Sequence, residues 1–145
     1  MIGGVTNADS LPVLERMIQF AGRRHRLMTH NIANIDTPNF RPMDVSVQGF
    51  QTQLGAAVDE RRERAGNAGG ELRLRNSREV AVGKHDELVF NPSPAGDNIL
   101  FHDRNDRDTE RLMQDLVENF MAFRTAADML RNRFDLINTA IRGRL

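Results

Sequence analysis

MQDLVENFMAFRTAADMLRNRFDLINTAI, residues Met113–Ile141, is the stretch whose reading decides the fold. Its apolar residues Met113, Leu116, Phe120, Phe123, Ala127, Leu130, Phe134, Ile137 and Ile141 recur at alternating intervals of three and four. That is the period of a helix packed along a narrow seam. Asp108 is placed to cap its start and Gly143 to end it, which predicts a helix of roughly 50 Å at 1.5 Å per residue. Arg142 in the last turn suits the negative end of the helix dipole. A stripe this narrow on a helix this long needs a second helix to cover it.

The other end of the chain supplies one. Leu11, Leu14, Ile18, Ala21, Met28, Ile32 and Ile35 repeat the same alternation, with His25 in the one gap as a polar, register-setting residue. Asp9 or Ser10 is placed to cap this helix and Pro12 is tolerated in its first turn. From Leu11 to Ile35 it would run roughly 37 Å. The predicted fold is therefore mainly α, an antiparallel coiled-coil hairpin of N- and C-terminal helices. Residues 1–40 and 105–145 form a discontinuous helical unit, and 41–104 an irregular middle segment.

In that middle the helical period fails. Val45, Val47, Phe50 and Leu54 suggest a short amphipathic turn or strand, weakened either way by Gly49 and Gly55. Leu72 and Leu74, then Val80 and Val82, alternate with polar neighbours as short half-buried strands do. Leu88–Phe90 and Ile99–Phe101 flank the turn-forming run Asn91–Asn98, while Gly66–Gly70 reads as a flexible break. At most a small β element is expected, ordered by a partner.

The first helix stops in a run with its own chemistry: Asn31, Ile32, Ala33, Asn34, Ile35, Asp36, Thr37, Pro38, Asn39, Phe40. Pro38 disfavours the helical conformation at Thr37, so the helix ends by about Asp36. Asn39 tolerates a left-handed backbone, and the amides of Asn31 and Asn34 can donate to carbonyls left unpaired at the helix end. This run resembles the N-terminal signature NxANxxTPGY of the bacterial flagellar axial proteins, with Asn39 for the glycine and Phe40 for the tyrosine. The far end is similar too. Leu116-Val117-Glu118-Asn119, Phe123, Ala126-Ala127, Leu130, Phe134, Ile137, Ala140-Ile141 and Gly143 follow the run LAENxxxYxAAxxLLxxxFxxLxxAIxG of proximal-rod members of that family. Upstream, Asn105, Asp108 and Met113 fit the family's NxVDxxxEM, whereas Arg107 and Leu112 depart from it.

The resemblance implies a structural subunit whose terminal helices pair and pack with neighbours into the tubular, torque-transmitting rod of the flagellar basal body. Its implied partners are itself, other rod proteins, the basal-body adaptor and inner-membrane ring below the rod, and the type III export apparatus. Export without a cleaved signal peptide is implied as well. The runner-up is a coiled-coil adaptor that docks on a partner helix.

Composition narrows the rest. Twenty basic and twenty acidic residues cancel, which argues against nucleic acid and anionic membrane as partners, with only Arg23–Arg26 pointing the other way. No cysteine is present, so disulfides and thiol chemistry are excluded. No apolar run reaches the roughly 20 residues of a transmembrane helix. His25 and His30 lie about 140° apart on a helix and cannot share a metal. Asp103–Glu110 resembles a calcium loop but has Arg107 in a ligand position and no glycine in the sixth. No Ser/His/Asp grouping, carboxylate pair or phosphate loop is evident, so no catalytic residue, cofactor or metal is expected.

Overall fold

The computed structural model describes residues 10–65, 70–95 and 109–143. It contains, in order, α1 (Ser10–Ala33), β1 (Met43–Asp44), α2 (Val47–Ala65), β2 (Val80–Val82), β3 (Leu88–Phe90), β4 (Ser93–Pro94) and α3 (Thr109–Ile141). Long N- and C-terminal helices pack together, with small two-stranded sheets in the middle, as the sequence predicts. The cap candidates Asp9 and Asp108, the calcium-like run 103–108 and Ile99–Phe101 lie outside the described residues.

The pairing of α1 with α3 is antiparallel. Asn119 Nδ2 donates to the Ala21 carbonyl at 2.9 Å, and Asp115, one turn earlier on α3, feels the charge of Arg24, one turn later on α1. A buried amide bonded across the seam fixes register. Asn119 therefore holds the role expected of His25, which is exposed beside a small hollow lined by Gly22, Asn119, Phe120 and Phe123. Gly143, with φ of 62°, takes the left-handed turn after α3, where a residue without Cβ meets no penalty.

The adjacent face of α1 carries the apolar core. Phe20 stacks on Phe50 of α2 with ring centroids 4.0 Å apart and tilts against Phe90 of β3 at 5.3 Å. Val45, Leu54, Ala57, Leu72, Val80 and Leu88 complete the cluster. β2 and β3 form an antiparallel hairpin, Val80 opposite Phe90 and Val82 opposite Leu88. Its inner face is thus 80, 82, 88 and 90, while Val89 points to solvent. β1 pairs with β4, Met43 opposite Pro94.

One difference from the sequence reading is large. Where a short turn or strand was expected around Val45–Leu54, α2 runs for 19 residues. Ser46 caps it, its Oγ accepting from the Gly49 N–H at 2.9 Å. Phe50, Leu54 and Ala57 then fall at helical spacing on the buried side. The two glycines are tolerated because both sit on the exposed side of that helix, and a Cβ at Gly55 would meet nothing within 4 Å.

Candidate functional site

The run 31–40 divides its labour among residues. Asn34 does what its position suggests: its Nδ2 donates to the His30 carbonyl at 2.8 Å and satisfies a helix-end acceptor. Turn bonds follow from Thr37 N to Asn34 O (2.9 Å) and from Phe40 N to Thr37 O (3.1 Å). Asn39 has φ of 61°, and the Phe40 ring meets His30 edge-on at 6.1 Å. Asp36, Thr37, Pro38 and Ala33 are exposed, while Ile32 and Ile35 are half-buried.

Asn31 takes a different role from the one expected. It is 1% exposed and turns away from the helix end: Nδ2 donates to the Met43 carbonyl at 2.7 Å and Oδ1 accepts from the Met43 N–H at 3.1 Å. Its amide acts as a strand partner for β1 and folds the returning chain back along α1.

Two arginines to which sequence reasoning gave no structural role fasten the same face. Arg24 forks onto Asp44, Nε to Oδ1 at 2.9 Å and Nη2 to Oδ2 at 2.6 Å. Arg16 holds the hairpin turn, donating to the Asp86 carbonyl at 2.6 Å and pairing with its carboxylate. Asp86 itself has φ of 62°. The signal for both was spacing, since 13, 16, 20, 24 and 31 lie on one helical stripe. Arg24, the second member of the basic run Arg23–Arg26, is thus buried in an ion pair rather than offered to a polyanion. Glu79 links three elements, accepting from Ser46 N (2.7 Å) and Ser93 Oγ (3.0 Å) while its carbonyl takes Asn91 N (2.8 Å).

The expected seam residues are distributed unevenly. On α1, Leu14, Ala21 and Met28 are buried and Ile18 and Ile32 half-buried, whereas Ile35, expected in the seam, is half-buried in the turn beyond the end of α1. On α3 the residues that become buried are Leu112, Asn119 and Ala126, one position ahead of Met113, Phe120 and Ala127. Leu116, Ala127, Leu130 and Ile137 are half-buried, whereas Met113, Phe120, Phe123, Phe134 and Ile141 are exposed. The physical reason is close approach. Ala21, Gly22 and Ala126 let the helix backbones come together around Asn119, with Phe123 3.8 Å from where a Cβ on Gly22 would sit. Leu112 stays buried farther along the seam, while Phe120 and Phe123 border Gly22 with about a third to a half of their surface still exposed. With Val117, Met121, Met129 and Leu136 also exposed, α3 presents far more apolar surface than α1 covers.

Asp115 is half-buried between these helices. Burial pushes its carboxyl above the ordinary value and nearby Asp44 adds to this, against the opposing pull of Arg24 and Arg111. Among the described residues no group of three or more His, Asp and Glu side chains is placed to hold a metal, and no helix is long and apolar enough to cross a membrane.

No protein-family model matches the chain. It is similar to the flagellar basal body rod protein FlgB of Borrelia hermsii, with 28% identity over 92% of this chain and 96% of that protein. It is also similar to the flagellar basal body rod protein FlgB of Bacillus subtilis, with 23% identity over 90% of this chain and 91% of the relative.

Proposed function

We infer from the chain's place among the FlgB flagellar basal body rod proteins that it is a structural subunit of the rod. The observation that carries this beyond similarity is the outward apolar face of α3. A helix with Phe120 at 48%, Phe134 at 47% and Ile141 at 77% exposure is suited to burial against other subunits. In this reading the helical parts of 1–40 and 105–145 are the packing unit and 41–104 clothes it. Copies and other rod proteins pack side by side into a tube that transmits torque, resting on the adaptor and inner-membrane ring. The chain reaches the rod through the flagellar export apparatus.

A shaft needs rigidity and a fixed angle at which each chain leaves its inner helix, not a catalytic group. Asn34 closing the helix end, Pro38 forbidding its continuation and Asn31 gripping Met43 supply that angle. Asn34→Ala combined with Pro38→Ala should leave helix content nearly unchanged by circular dichroism yet reduce swarming and the number of assembled basal bodies in a strain lacking its own subunit. Full swarming with the double substitution removes the exit-angle role.

A further inference from the structure

Between α1, α2 and α3 lies an apolar groove of about 580 Å³, lined among others by Val13, Met17, Phe50, Leu54 and Val58, with Gly55 on its lip. Its volume lies within the range of ligand-binding clefts. A second feature has the complementary shape. Continuing the register set by Asn119 against Ala21, Ser10 falls opposite about Leu130, so the last turns of α3 extend roughly 16 Å past the described start of α1. On this extension Phe134, Ile137 and Ile141 are spaced i, i+3, i+7, the pattern by which an amphipathic helix anchors in a groove.

We propose that the groove receives the C-terminal end of α3 from a second copy of this chain. Charge favours the match. The extension carries Arg131, Arg133 and Arg142 against a single Asp135, and the groove's rim carries Glu118 and Asp59 with Arg62. Arg24, also in the lining, is neutralised by Asp44. Donor and acceptor are different surfaces of one molecule, so the contact is head-to-tail and propagates unless its rotation closes a ring. This deepens the rod reading and rests on it: it names which surface of one subunit meets which surface of the next.

The native chain has no cysteine, which makes thiol pairing a clean test. Gly55→Cys places a thiol on the groove lip in open space, and Ile141→Cys places one on the exposed end of α3. Within one chain the two are too far apart to join, since Ile141 lies roughly 28 Å along α3 from Ala122 of the groove and a disulfide needs Cα atoms within about 7 Å. Mild oxidation of a mixture of the two single variants should give mixed dimers, and the chain carrying both should give a ladder of multimers. Adding Phe134→Glu should reduce linkage about tenfold or more with unchanged helix content.

Linkage only between two Ile141→Cys chains overturns the proposal. So does a Gly55→Cys thiol that resists labelling because the chain's own segments cover it, or linkage unaffected by Phe134→Glu. Absence of linkage from a chain that restores swarming removes this contact and leaves the rod reading standing. A ladder from the variant chain, with the unaltered chain unable to restore swarming, upholds the contact and removes the rod reading.

Discussion

The two faces of α1 differ in kind. Toward the middle segment it offers Phe20 to a core of large side chains, bracketed by Arg16 on Asp86, Arg24 on Asp44 and Asn31 on Met43. Toward α3 it offers Ala21 and Gly22, and α3 answers with Leu112, Asn119 and Ala126 while leaving Phe120 and Phe123 partly exposed at the seam's edge. One face is built for a stable fold and the other for close helix approach that leaves apolar surface over. The difference teaches that stability and assembly are carried by separate regions: the middle segment, which looks irregular in sequence, holds the core, and the helix that looks most core-like holds the unspent surface.

The sharpest way to break this comparison is to truncate one large apolar residue in each region. Leu88 is 0% exposed at the centre of the hairpin core, so Leu88→Ala should cost about 4 kcal/mol in urea denaturation of the isolated chain. Phe120→Ala removes a larger side chain from α3, yet with about half of it exposed it should change the same measurement by only about 1 kcal/mol while weakening incorporation into the rod. Equal losses of stability would place Phe120 in the core and end the distinction.

Next in size is the ion pair. Arg24→Ala leaves Asp44 without its fork and Asp115 without its opposing charge, and should cost about 3 kcal/mol. Arg24→Met with Asp44→Leu replaces the pair by apolar groups and should recover most of that loss. A double variant no more stable than Arg24→Ala would show that the pair does more than satisfy itself. Asn31→Ala follows, leaving both polar groups of Met43 without their side-chain partner at a cost of about 2 kcal/mol. Hydrogen exchange should speed at Met43 first; an unchanged rate there would remove the strap from this account.

How much of this was legible in the sequence follows from the same contrast. The existence, extent and pairing of the two long helices could be read because three–four periodicity is a direct print of helical geometry. The facing register on α3 could not be, because its apolar stripe is wider than one seam and two of the three residues buried there, Asn119 and Ala126, are polar or small. Hydrophobicity ranks Phe120 above Asn119; close approach ranks them the other way. The helix α2 was hidden by Gly49, Gly55 and the charged run from Asp59 to Arg64, although Ser46 and the spacing of Phe50, Leu54 and Ala57 were there to be weighed. Asn31 could be recognised as a residue of consequence but not its target, since Met43 lies twelve residues on and only the fold brings them together.

The smallest expected effect tests the seam itself. Asp115 is held above its ordinary value of 3.8, so the folded chain favours its protonated form more than the unfolded chain does. Between 3.8 and that raised value the folded state binds more protons, and stability falls as pH rises through the window, then stays lowered at higher pH. Below 3.8 both states are increasingly protonated and the difference fades. Asp115→Asn keeps the shape and removes the charge, so it should stabilise the chain slightly at pH 7, by no more than about 0.5 kcal/mol at so partly exposed a site, and have little effect near pH 3. The pH dependence of the urea midpoint reads this directly. A substitution that destabilises at pH 7 would mean that Arg24 holds Asp115 more strongly than burial and Asp44 oppose it, making the α1–α3 seam an ionic contact rather than one set by small residues and Asn119.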